Sequence, residues 1–65
     1  MVTCDTTAVM YWAEKLVPGG NPFVFIPTTN TDSQQIKDRL LGEWPGRTFE
    51  LTGDEYDKLT LKRIS

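Results

Sequence analysis

The sequence predicts an α+β domain: a small three-stranded sheet with two helices packed on it, in the order helix, strand, helix, strand, strand. Three observations carry this reading. Apolar residues recur at helical spacing in two separate segments, a short unbroken apolar run lies between two prolines, and the last third of the chain alternates with a period of two.

The first helix is expected in "TTAVMYWAEKLV". At about 100° per residue, Ala8, Val9, Trp12, Ala13 and Leu16 cluster on one side, with Tyr11, Glu14 and Lys15 opposite. Asp5 or Thr6 can cap its start by accepting a backbone N–H that has no helical partner. Pro18-Gly19-Gly20 stops it, since proline cannot continue a helix and glycine accepts the left-handed turn. Met10 and Tyr11 border the polar side and are read as an exposed apolar pair suited to contact with another chain.

Phe23-Val24-Phe25-Ile26, between Pro22 and Pro27, is too short for a helix and rich in β-branched and aromatic residues, so it reads as a strand. A continuous apolar run predicts a strand covered on both faces. The next segment, "TTNTDSQQ", supplies turn residues and a helix start, with Asp32 and Gln35 spaced as a capping box. Ile36, Leu40, Leu41 and Trp44 form the apolar arc of the second helix, and Lys37 within that arc must extend its ammonium to water. Pro45 disfavours helical angles at Trp44 and ends the helix.

The end of the chain, "TFELTGDEYDKLTLKRIS", permits two readings. Thr52-Gly53-Asp54-Glu55 has the form of a capping box, yet on one helix Tyr56, Leu59, Leu61 and Ile64 would spread over about 200°. As strands, Phe49 and Leu51 share one face, and so do Leu59 and Leu61. A hairpin connected by "GDEYDK" is therefore expected, with Lys62 and Arg63 at an exposed strand end.

At 65 residues the chain is expected to be a single domain over 1–65, near the lower size limit for independent folding. Small domains are commonly stapled by disulfides, metal or a partner chain. A single cysteine and no histidine leave neither an internal disulfide nor a zinc site within the chain; what remains is a partner chain or an efficient core, and of these self-association, as a homodimer, is expected. No apolar stretch reaches the ~20 residues of a membrane span, and the N-terminus lacks the pattern of a secretory signal; a cytoplasmic protein with a reduced Cys4 is expected. An initiator Met without an export signal suits an accessory protein of a virus or mobile element.

The chemistry-bearing residues are few. Cys4 has no histidine to generate a thiolate, so no enzyme is expected, and no cofactor or metal. "VPGGNPF" lacks the phosphate-loop pattern and follows a helix instead of a strand. The feature that stands out is acidic: Glu50, Asp54, Glu55 and Asp57 surround Tyr56. Such a patch can steer a protein onto a basic surface, with Tyr56 as an aromatic anchor and Tyr11 as a further contact. The function expected is a non-enzymatic protein-interaction module. In its sharper form it mimics nucleic acid and inhibits an enzyme that binds it. The competing readings are a nucleic-acid-binding module using Arg47, Lys58, Lys62 and Arg63, disfavoured by the net charge of −2, and a self-assembling subunit.

Overall fold

A computed structural model of the chain describes residues 2–54 and 57–65. Six elements follow in order: β1 (Val2–Cys4), α1 (Thr6–Ala13), β2 (Phe23–Pro27), α2 (Ser33–Glu43), β3 (Phe49–Asp54) and β4 (Lys58–Arg63). The sheet order is β1-β2-β4-β3; β1 runs parallel to β2, and β4 is antiparallel to both β2 and β3.

The class is α+β with two helices, but the sheet has four strands, not three, and the order begins with a strand. Val2-Thr3-Cys4 pairs with Phe25-Ile26-Pro27, and Thr28 N–H donates to the Cys4 carbonyl at 3.1 Å, extending the ladder. β1 is too short to declare a period of its own. It forms because β2 offers it an edge, so its stability is tertiary. β2 and β3, joined through α2, are parallel but separated by β4.

Both helices start at a capping aspartate. Asp5 Oδ1 accepts from Ala8 N–H and Asp32 Oδ1 from Gln35 N–H, each at 2.8 Å, satisfying donors that have no helical partner. α1 is shorter than its periodicity suggests. After Ala13 the backbone tightens to bonds spanning three residues, Lys15 N–H to Trp12 O and Leu16 N–H to Ala13 O. The described acids and cations of 48–65 sit on a hairpin, as the alternation predicts. Thr52 belongs to β3 opposite Thr60, and Asp54 closes that strand opposite Lys58, so the connection is shorter than "GDEYDK".

The core lies between the helices and one face of the sheet. Val9, Met10 and Ala13 of α1 and Ile36 and Leu40 of α2 meet Cys4, Phe25, Leu59 and Leu61. Both helices thus cover the same face, which corrects the expectation that β2 is buried on both sides. Phe25 is fully buried, Val24 is half-buried, and Ile26 is 40% exposed. Three other side chains depart from their expected places. Met10 is buried, Trp12 is 40% exposed, and Leu41 is 65% exposed. On α1 the buried stripe is rotated towards Met10, because α2 packs beside α1 and covers that flank. On α2, Ile36 and Leu40 suffice to fill the space over the sheet, and Leu41 falls outside it.

Candidate functional site

Strand alternation places Thr3, Val24, Ile26, Glu50, Thr52, Asp54, Lys58, Thr60 and Lys62 on the face away from the helices. The register lines them into rows: Thr3 beside Ile26, Val24–Thr60–Thr52, Glu50 beside Lys62, and Asp54 beside Lys58. The face has a centre of β-branched side chains, with charges of both signs at the β3–β4 margin.

Of the residues singled out from the sequence, Glu50, Asp54 and Asp57 are exposed on this hairpin. Glu50 points away from Phe49 and Leu51, as the alternation requires. Asp57 N–H donates to the Asp54 carbonyl at 2.9 Å, closing the turn. Glu55 and Tyr56 lie outside the described residues. Tyr11 is elsewhere, on the outer flank of α1. Its ring meets Trp12 edge-on at 5.6 Å, and Lys15 Nζ donates to its hydroxyl at 2.8 Å. Trp12 in turn stacks on Phe23. Tyr11 therefore does not join the hairpin acids in one site.

The residues of the nucleic-acid reading do not share one surface either. Lys58 and Lys62 stand on the open face. Arg63 turns to the other side, where its Nη1 donates to the Leu16 carbonyl at 3.1 Å and its Nε to the Ser65 carbonyl at 3.2 Å. This ties β4 to the loop after α1, so Arg63 is not the exposed strand-end cation expected of it. Arg47 lies over the Trp44 ring, with its guanidinium carbon 4.9 Å from the ring centroid.

Cys4 is 2% exposed in the core. Burial raises its thiol pKa above the ordinary 9.0, and the neighbouring Asp5 charge adds to that rise. Both effects favour the inert, protonated thiol. Among the described residues no group of acidic, cysteine or histidine side chains has the grouping needed to hold a metal ion. No helix among them is long and apolar enough to cross a membrane.

What sequence reasoning missed is the open face itself. Val24, Ile26, Thr52 and Thr60 come from three strands and become neighbours only through the β2–β4–β3 register. The one signal was the Phe23–Ile26 run, which marks an apolar strand without saying which side is covered. In comparisons with known proteins, no family model, no curated protein and no solved structure matches the chain.

Proposed function

We propose that this chain is a small, non-catalytic protein-interaction module that docks through the open face of its sheet, with the β3–β4 hairpin leading. The observation that supports this is the placement of both helices on one face, which leaves Val24, Ile26, Thr52 and Thr60 with no helix over them. Exposed apolar surface rimmed by polar residues is the pattern of an interaction site. The hairpin supplies the orienting charge. Asp54 and Asp57 stand at its tip, Glu55 lies between them in sequence, and long-range attraction to a cationic partner would accelerate encounter.

The partner that fits is a larger protein with an apolar centre to its contact surface and cations facing the hairpin tip. In the sharper form of the proposal, those cations otherwise hold nucleic-acid phosphates and the chain competes for them. That form asks more of the acids, because Lys58 and Lys62 stand opposite Asp54 and Glu50 and reduce the local negative charge.

A second reading has its own support. The margin holds both signs, Glu50 beside Lys62 and Asp54 beside Lys58, which suits the self-complementary patch of a two-fold contact between copies. The open face would then be the interface of a homodimer.

The test is to compare wild type with Ile26→Lys/Thr60→Lys, after confirming by amide spectra that the variant is folded. Capture from native lysate at two salt concentrations reads hetero-association, and sedimentation reads self-association. Docking predicts loss of a defined partner in the variant, with wild-type capture weakened by salt. A wild-type dimer that the variant dissociates favours the second reading. Unchanged capture and unchanged mass in the variant contradict both.

A further inference from the structure

A second surface lies on the opposite side of β3, unrelated to the open face. β3 is an edge strand: among the described residues it pairs only with β4. Ile64 N–H donates to the Thr48 carbonyl at 2.7 Å, which makes Thr48 a residue that bonds towards β4. In an antiparallel ladder that role alternates, so Phe49 and Leu51 direct their N–H and C=O groups to the free edge. Their side chains point to the helix side of the sheet. There they meet Lys37, Leu40 and Leu41 of α2, and with Arg47 these residues line a hollow of about 380 Å³.

The charge of this hollow is opposite to that of the chain. Aspartate and glutamate outnumber lysine and arginine by 9 to 7 overall, yet the lining contains two cations and no carboxylate. Neither Lys37 nor Arg47 pairs with an acid among the described residues. Arg47 Nη1 is shielded from solvent and has no hydrogen-bond acceptor there. A buried donor without an acceptor is rare in folded proteins. A carboxylate arriving between Lys37 and Arg47 would supply one once the guanidinium turns off the Trp44 ring.

We infer that the α2–β3 hollow binds an extended acidic peptide segment of another protein by strand addition to β3. Backbone groups of the segment bond to Phe49 and Leu51. Side chains directly opposite those residues lie on the same face of the extended sheet and so enter the hollow. An aliphatic side chain fits against Leu40, Leu41, Phe49 and Leu51, while a neighbouring carboxylate reaches Lys37 and Arg47. Cation position and edge hydrogen bonds together select a peptide; the apolar lining alone would select any hydrophobe.

The experiment is selection from a display library of random octapeptides against the wild-type chain, followed by amide-shift mapping with the best binder. The expected binders carry at least one Asp or Glu within two residues of an aliphatic side chain. They shift the amides of Phe49 and Leu51, and N-methylation of alternate backbone nitrogens weakens them at least tenfold. Lys37→Glu/Leu41→Glu changes two exposed residues, so the fold should survive, and it should weaken the binders at least tenfold. Arg47→Gln should weaken them less. Three results overturn the inference: no enrichment, enrichment of basic or charge-indifferent peptides, or binders retained by the folded Lys37→Glu/Leu41→Glu variant. Equal occupation of the hollow by decanoate, with the same amide shifts, would show an anionic amphiphile site and overturn strand addition. Loss of β3-edge exchange in the free chain with a doubled mass would assign the edge to a second copy and overturn it as well.

Discussion

Phe25 and Ile26 are neighbours in β2 and lie on opposite sides of the sheet, the first fully buried beneath both helices and the second 40% exposed. The consequence is a steep difference in what each contributes to stability. Removing a buried Phe side chain costs about 3–5 kcal/mol. A chain of this size has roughly 3–10 kcal/mol in total, at ~0.05–0.15 kcal/mol per residue. Phe25→Ala should therefore leave the protein largely unfolded, while Ile26→Thr should shift stability by less than about 1 kcal/mol. Urea denaturation followed by Trp fluorescence checks both.

Gly53 is predicted to be intolerant of a side chain. Its φ is +111°, and a Cβ there would collide with the Lys58 carbonyl oxygen across the hairpin. Gly53→Ala should cost about 1–3 kcal/mol and disturb the Asp54–Lys58 pairing that positions the acidic tip. Amide spectra should show changes concentrated at residues 52–60. A fully native spectrum at unchanged stability would contradict the strained position.

Arg63 is predicted to contribute chiefly through a neutral acceptor, the Leu16 carbonyl, instead of through an ion pair. Its bond to the Leu16 carbonyl is charge-assisted and part-buried, whereas the one to the Ser65 main-chain oxygen is exposed. Arg63→Met keeps the aliphatic stem and should lose about 1 kcal/mol, with little dependence on salt. Lys62→Met, whose ammonium faces solvent beside Glu50, should lose less than that, and the loss should shrink as salt rises.

Cys4 predicts a pH dependence on the alkaline side. Its folded pKa lies above the ordinary 9.0, so as pH rises through that value the unfolded chain releases a proton that the folded chain retains. The unfolded state then binds fewer protons, and stability falls with rising pH. The contribution is fully present below pH 9 and is lost as pH climbs towards the folded value. Cys4→Ala lacks it, so the stability difference between wild type and Cys4→Ala should narrow or reverse between pH 8 and 10. A constant difference would contradict the assignment.

Much of this architecture was legible from residue patterns, and the failures share one cause. Asp5 and Asp32 announce their helices because capping is local chemistry, and the alternation of Phe49, Leu51, Leu59 and Leu61 announces the hairpin for the same reason. Val2–Cys4 gave no sign of itself, since a strand of that length exists only through its pairing with β2. Which face of β2 is covered was hidden by Val24 and Ile26, apolar side chains that point outward and erase the alternation. Trp12 and Leu41 carry apolar character that periodicity counts as buried, whereas only packing decides that Met10 is covered and these two are not. Lys37 and Arg47 flank one hollow because α2 turns back along β3, a relation no spacing expresses. The hairpin acids were visible as a run, but the cations opposite Glu50 and Asp54 emerged only with the register.

The acidic tip is predicted to act on association rate. Replacing Glu50, Asp54, Glu55 and Asp57 with Gln or Asn retains size and polarity, so the fold should survive. Any one exposed pair contributes only about 0.2–1 kcal/mol, and a single substitution should be nearly silent. The quadruple variant should slow association with the docking partner several-fold at low salt and little at high salt, read by rapid-mixing kinetics.

The open face is the centre of the account, and site-specific photo-cross-linking in the native cell tests it most directly. A cross-linker replacing Ile26 would sit on that face beside Thr3, and one replacing Gln34 on the exposed side of α2 would serve as the control. The account predicts a defined cross-linked protein from position 26, absent from position 34 and lost when Thr60→Lys is added. Equal products from both positions, or none from position 26 in a folded protein, would contradict it.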